Sequence, residues 1–170
     1  MRCFVAAWPD LSTRESLHQL VSGLRPRLQS GRPMQPRNQH LTLAFIGDLK
    51  ADAAERLSGA IDRLSIPPFD WSMTELGWFQ RARVAWAGGP ANAAMAGSVS
   101  AVRSRLDELG VAYDRKAFVA HVTLFRDVRA FACSGPLASP LPWRTALVAL
   151  YAASRDEAGP VYRRVGEIPV

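Results

Sequence analysis

The chain has 170 residues, 48% of them hydrophobic, enough to fill one core or two small lobes that share one. No apolar stretch is long enough to span a bilayer, the opening run from Cys3 to Trp8 is too short for the apolar part of a secretory signal, and Cys3 and Cys133 keep no metal-like or disulfide-framework spacing. A cytoplasmic, reduced protein is therefore expected, and its net charge of +6 and pI near 10.1 suit a polyanionic partner.

Arg2 to Trp8 reads as a strand, and Ser12-Thr13-Arg14-Glu15 reads as a capping box opening a helix with Leu17, Leu20, Val21, Leu24 and Leu28 on its apolar face. Pro26 argues against a regular last turn. Gly31 to Asn38, with Pro33 and Pro36, is a loop leading into a strand from His40 to Ile46 that stops at Gly47. A second helix begins near Asp52 and Glu55, carries Ala54, Leu57, Ile61 and Leu64 on one face, and ends before Pro67-Pro68. Asp70 to Leu76 and Arg83 to Ala87 form a hairpin, with Phe79 in its loop. A third helix runs from about Ala91 to Leu109, with Met95, Val99, Val102, Leu106 and Leu109 at helical spacing and Gly110 as its C-cap. After a strand at His121 come a loop with Pro136, Pro140 and Pro142, a strand from about Thr145 to Ala153, and a short one around Val161 to Val165.

The informative feature is a repeated tetrad, His40-Leu41-Thr42-Leu43 and His121-Val122-Thr123-Leu124, which uses two of the three histidines. In an extended strand the side chains alternate, so each histidine shares a face with its threonine while Leu41 or Val122 turns to the core. Two such faces opposed would supply a general base, a general acid and hydroxyl donors for a phosphoryl group without a metal. Leu28 precedes His40 by the same number of residues as Leu109 precedes His121, which suggests an internal duplication of helix, basic loop and strand. Any single His-x-Thr is more often a hydrogen-bonded structural histidine; the matched pair reverses that weighting. His18, beside the first helix's apolar face, is expected to have no role.

With these motifs the chain resembles the 2H phosphoesterases, and within them the bacterial and archaeal RNA 2′,3′-cyclic phosphodiesterases, also called 2′-5′ RNA ligases. The resemblance extends over Phe4 to Trp8, His40 to Gly47, the hairpin from Gly77-Trp78-Phe79 to Val84-Ala85-Trp86, His121 to Arg126, Leu150 to Ser154 and Gly159 to Tyr162. It departs at Ala120, where family members often carry proline. It implies an α+β, bilobal fold: one domain over residues 1–170, made of two pseudo-two-fold-related lobes of mainly antiparallel sheet with outer helices and a central cleft. It also implies hydrolysis of RNA 2′,3′-cyclic ends to 2′-phosphates, with His40 as proton donor and His121 as proton acceptor, Thr42 and Thr123 donating to phosphate oxygens, and Arg126 adding charge. Residue reading alone does not divide the acid and base roles between the histidines. It also leaves Arg126 on the wrong face, unless the strand twists, bulges or ends there.

No cofactor or metal is expected, since no acidic or cysteine ligand keeps metal-like spacing with either motif. RNA with cyclic phosphate ends or small cyclic nucleotides are the expected partners, no membrane is, and a monomer is the default. The same chemistry on a small cyclic nucleotide or ADP-ribose cyclic phosphate is the nearest alternative, and an RNA-end-binding module without turnover is the next. The carboxylate-free stretch from Glu15 to Asp48 holds Arg25, Arg27, Arg32 and Arg37 ahead of His40, a placement suited to phosphates. All basic residues except Lys50 and Lys116 are arginine, so composition bias also accounts for much of the charge. Trp8, Phe79 and Trp86 are more simply packing residues than base-stacking platforms, and Arg163-Arg164 is a solvated surface.

Overall fold

A computed structural model describes residues 1–64, 66–157 and 159–165. Strand β1 (Arg2–Pro9) is apolar on both faces, with Cys3, Val5 and Ala7 in the main core and Phe4 and Ala6 in a second cluster on the opposite side. Helix α1 (Leu11–Leu24) packs Leu17, Val21 and Leu24 into that main core. Its N-cap is Asp10, whose carboxylate accepts from Thr13 N at 2.8 Å, so the helix begins ahead of the expected Ser12 box. Ser12 instead donates its hydroxyl to the Asp10 carboxylate. Thr13 is buried, its Oγ1 accepting from Arg144 N at 2.9 Å. Pro26 sits in a 3-10 turn, Arg25–Arg27, beyond which Leu28 is still buried.

The short strand β2 (Arg32–Pro33) and a 3-10 turn at Pro36–Asn38 lie within the expected loop and deliver the chain to β3 (Leu41–Asp48). Helix α2 (Ala51–Asp62) buries Ala54, Leu57 and Ile61. The hairpin is β4 (Asp70–Phe79) with β5 (Val84–Gly88), so Phe79 ends a strand rather than occupying a loop. Helix α3 (Ala93–Glu108) closes as expected: Gly110 adopts φ +64, its N–H reaches Asp107 O, and Val111 N reaches Leu106 O. Leu109 is 47% exposed and does not belong to the apolar face.

Strand β6 (His121–Arg126) follows, then β7 (Gly135–Asp156) and β8 (Gly159–Arg164). The expected proline loop is thus the first half of a 22-residue strand. That half pairs with β4 as an edge, where a proline's missing N–H removes little from the ladder. The second half of β7 pairs with β1, from Pro9↔Thr145 to Arg2↔Ala153. The 8-stranded antiparallel sheet therefore runs β1-β3-β6-β5-β4-β7-β8, with the short β2 pairing with β6 off this path, and closes on itself through β7 and β1.

Read from β7, the strands form two sets of four: β8, the second half of β7, β1 and β3 in one, and the first half of β7, β4, β5 and β6 in the other. They meet where β3 pairs with β6 through Leu41↔Val122, between the two His-x-Thr motifs. The helices cover one face; the other forms a cleft. Among the described residues no helix is long and apolar enough to cross a membrane.

Candidate active site

Both motifs are held by the same backbone device. His40 Nδ1 lies 2.7 Å from Asn38 O, and His121 Nδ1 lies 2.8 Å from Val119 O, in each case the carbonyl two residues earlier. A carbonyl only accepts, so each neutral imidazole carries its proton on Nδ1 and keeps the Nε2 lone pair for chemistry. Asn38 is itself buried and fixed by donation from its Nδ2 to Pro160 O at 2.6 Å. His40 Nε2 lies 3.1 Å from Thr42 Oγ1, which donates to it while the ring is neutral.

The strand irregularity on which Arg126 depends is present. Ala85 pairs with Phe125 but Trp86 with Thr123, so β6 carries one extra residue; Leu124 and Phe125 are both buried, and Arg126 emerges on the face of His121 and Thr123. The same bulge occurs in β3, where Val5 pairs with Ala44 and Ala6 with Thr42. Leu43 and Ala44 are buried together, and Phe45 returns to the face of His40 and Thr42. Phe45 is thus the positional counterpart of Arg126, five residues after its histidine. His40, Thr42, His121, Thr123 and Arg126 all line one cleft of about 1000 Å³.

Aromatic residues surround the two rings differently. His40 stacks on Phe4 at 4.9 Å and on Trp8 at 4.8 Å, with Tyr162 edge-on at 5.2 Å. Trp8 rests in turn on Tyr151. His121 makes only edge contacts, to Phe79 at 4.9 Å and Trp86 at 6.2 Å. The Trp86 indole lies across Gly77, where an added Cβ would come within 2.0 Å of its Cζ2. Gly88 also has no space for one, because Ala120 O and the indole both approach it closely. Trp8, Phe79 and Trp86 are therefore packed around the imidazoles, while Phe4 and Tyr162 are site neighbours that motif reading missed. The signal for Phe4 lies in the alternation Phe4-Ala6-Trp8 on one face of β1.

Burial pushes both imidazoles below their ordinary value. His40 titrates at about 4, because its aromatic surroundings exclude water, with the Asn38 carbonyl opposing the shift and the Arg126 and His121 charges adding to it. His121 is lowered by burial first, with the Val119 carbonyl opposing and Arg126 adding. Arg126 thus acts on both rings. Arg32 also lines the cleft, but its Nε donates to Asp127 Oδ2 at 2.8 Å. That ion pair ties β2 to the end of β6, where Asp127 adopts φ +60. Of Arg25, Arg27, Arg32 and Arg37, the run expected to lead phosphates to His40, Arg32 alone lines the cleft; Arg37 approaches Asp156 at 3.9 Å. Among the described residues no three His, Cys, Asp or Glu side chains converge as a metal site. Two Nε2 atoms, two threonine hydroxyls and a guanidinium facing one space can bind a phosphoryl group and move a proton on either side of it.

The family model for LigT-like phosphoesterases matches residues 8–86. An RNA 2′,3′-cyclic phosphodiesterase of Archaeoglobus fulgidus is 30% identical over 129 residues, covering 74% of this chain and 72% of that protein. The chain belongs to the LigT-like phosphoesterases. An RNA 2′,3′-cyclic phosphodiesterase of Escherichia coli K12 is 32% identical over 100 residues, covering 58% of this chain and 57% of that one. The crystal structure of E. coli LigT complexed with 3′-AMP superposes with a TM-score of 0.82 at 27% identity, covering 96% of this chain and 94% of the other. Membership of this family bears out the resemblance read from the paired motifs and the α+β fold expected from it.

Proposed function

We propose that the chain hydrolyses RNA 2′,3′-cyclic phosphodiester ends to 2′-phosphomonoesters by metal-free acid and base catalysis, with His40 as proton donor and His121 as acceptor. The observation that carries the reading is the matched pair of Nδ1-anchored imidazoles, each with a threonine beside it, on adjoining strands of one cleft. It accords with the activity named for the E. coli and A. fulgidus relatives. In the reaction, water oxygen bonds to phosphorus as its proton passes to His121 Nε2. The bond from phosphorus to the 3′ oxygen breaks, and that oxygen takes a proton from His40 Nε2. Thr42, Thr123 and Arg126 donate to the non-bridging oxygens, whose charge they balance. Joining follows the same course with the 5′ hydroxyl of a second RNA in place of water: its oxygen bonds to the phosphorus of the cyclic phosphate as its proton passes to His121 Nε2, the bond to the 3′ oxygen breaks with a proton from His40 Nε2, and a 2′-5′ linkage results.

His40 is neutral in the free protein at pH 7, given its value of about 4, so the donor takes up its proton when substrate binds. A phosphate anion bound by the threonines and Arg126 places a negative charge beside the ring, which favours imidazolium and opposes both the burial and the Arg126 charge that disfavour it. We assign both lobes to a single domain over residues 1–170 and a monomer, since both motifs lie in one chain.

The deciding experiment is incubation of metal-free protein with an oligoribonucleotide bearing a 2′,3′-cyclic phosphate, followed by identification of the product end by mass and phosphatase sensitivity. A 2′-phosphate is expected, with His40→Ala and His121→Ala each slower by roughly 10² to 10⁴. Absence of turnover on RNA with turnover on a small cyclic nucleotide or ADP-ribose cyclic phosphate would move the assignment to that substrate. Tight binding of RNA ends with no turnover of either would leave a binding module.

A further inference from the structure

The cleft is lined by four arginines, Arg2, Arg32, Arg126 and Arg155, and they are not equivalent. Arg32 is engaged by Asp127 and Arg126 stands beside the histidines. Arg2 and Arg155 belong to no ion pair among the described residues. The register places them together: Arg2 pairs with Ala153, and Arg155 is two residues further along β7, a diagonal separation that long side chains bridge. Arg2 holds its guanidinium over the ring of Phe45, with Cζ 5.0 Å from the centroid. Phe45 is the counterpart of Arg126 across the seam, so each lobe presents a guanidinium at the equivalent place, one from its own strand and one from the neighbouring strand resting on an aromatic ring. Asp114, whose backbone N–H donates to Phe45 O at 2.8 Å, also lines the cleft, and its carboxylate is bonded to Lys116 at 2.9 Å. Asp48, opposite Arg2 in the ladder, forms no ion pair with it.

We propose that Arg2, stacked on Phe45, and Arg155 form a second anion subsite that takes the phosphodiester immediately 5′ of the reacting nucleotide, making an oligoribonucleotide rather than a mononucleotide the preferred substrate. This rests on the hydrolase reading above. Phe45 lies one cleft-facing row beyond Thr42, about 7 to 10 Å along the strand, so the subsite is a neighbouring position and not part of the reacting one. A guanidinium stacked on a ring keeps its N–H edges free and oriented, the geometry that suits bidentate contact with phosphate oxygens.

The test compares wild type, Arg2→Gln and Arg155→Gln on a five-nucleotide RNA ending in a 2′,3′-cyclic phosphate and on the corresponding nucleoside 2′,3′-cyclic monophosphate. The ratio of kcat/KM values, oligonucleotide over mononucleotide, is expected to fall about ten-fold in each variant, through KM. The salt dependence on the oligonucleotide should lose roughly 0.7 of a unit of log–log slope per contact removed. An unchanged ratio, whether both substrates fall together or neither does, overturns the subsite. If wild type turns over neither substrate, the hydrolase reading fails, and fluorescence-anisotropy binding of the same RNA ending in a 2′-phosphate still decides the subsite: about ten-fold weaker binding by Arg2→Gln supports it and equal binding refutes it.

Discussion

Replacing His40 by glutamine isolates the cost of holding an imidazole against the aromatic face of β1. The ring titrates at about 4 in the folded protein against an ordinary 6.5, and each unit of difference corresponds to about 1.4 kcal/mol. Between those two values the unfolded chain binds a proton that the folded chain does not, so stability rises with pH there. Above pH 6.5 both states are neutral at this residue and nothing is lost. As pH falls to 4 the folded state should lose about 3 kcal/mol from His40, and below that the loss levels off. Glutamine does not titrate, so His40→Gln should show a difference in unfolding free energy between pH 7 and pH 4 smaller than wild type by about 2 to 3 kcal/mol. Urea unfolding at the two pH values, with the slope m checked for constancy, measures it. His121, also lowered, contributes its own dependence to both proteins, so the comparison leaves the His40 contribution together with the charge coupling between the two rings. Equal pH dependence in the two proteins, to within about 0.5 kcal/mol, would refute the argument that burial keeps His40 neutral and would remove the need for substrate-linked proton uptake.

Roles are separable with a substrate that has sulfur at the 3′ bridging position, because a thiolate leaves without a proton. His40→Ala should recover most of its lost rate on that substrate and His121→Ala should not; the opposite pattern would exchange acid and base. Arg126→Gln should lower kcat/KM by roughly 10² to 10³ and move both limbs of the pH profile upward, since the guanidinium depresses both imidazoles; unmoved limbs would show that its charge does not reach them. Gly77→Ala should cost about 1 to 3 kcal/mol of stability and slow turnover, because the new Cβ displaces the Trp86 indole that touches His121. Gly97→Ala, inside α3 with open space at its Cβ, should raise stability by about 0.5 to 1 kcal/mol; thermal unfolding of the pair reads both signs.

His40, Thr42, His121 and Thr123, which the fold gathers in one cleft, were legible as a local pattern. His-x-Thr twice, with Leu41 and Val122 between, defines strand faces through the period of two alone, and α2, α3 and the Gly110 cap follow from spacing and left-handed glycine in the same way. The matching distances from Leu28 and Leu109 were a poor guide to the duplication, since Leu28 is buried and Leu109 is exposed. The correspondence between the halves lies in the strands, where Phe45 and Arg126 follow equivalent bulges.

Those bulges are what local reading could not reach. An extra residue in one strand becomes a bulge only when the register on both sides is set by its partners, here β1 against β3 and β5 against β6, and that register puts Arg126 into the cleft. The long β7 was hidden for the same reason: Pro136, Pro140 and Pro142 argue against a strand until the fold makes their segment an edge. Sequence by itself determined which groups could do the chemistry and on which side of each strand they start. Pairing between distant strands decided which face each later residue returns to and which aromatic rings enclose His40, because register and burial are properties of the closed sheet rather than of any segment within it.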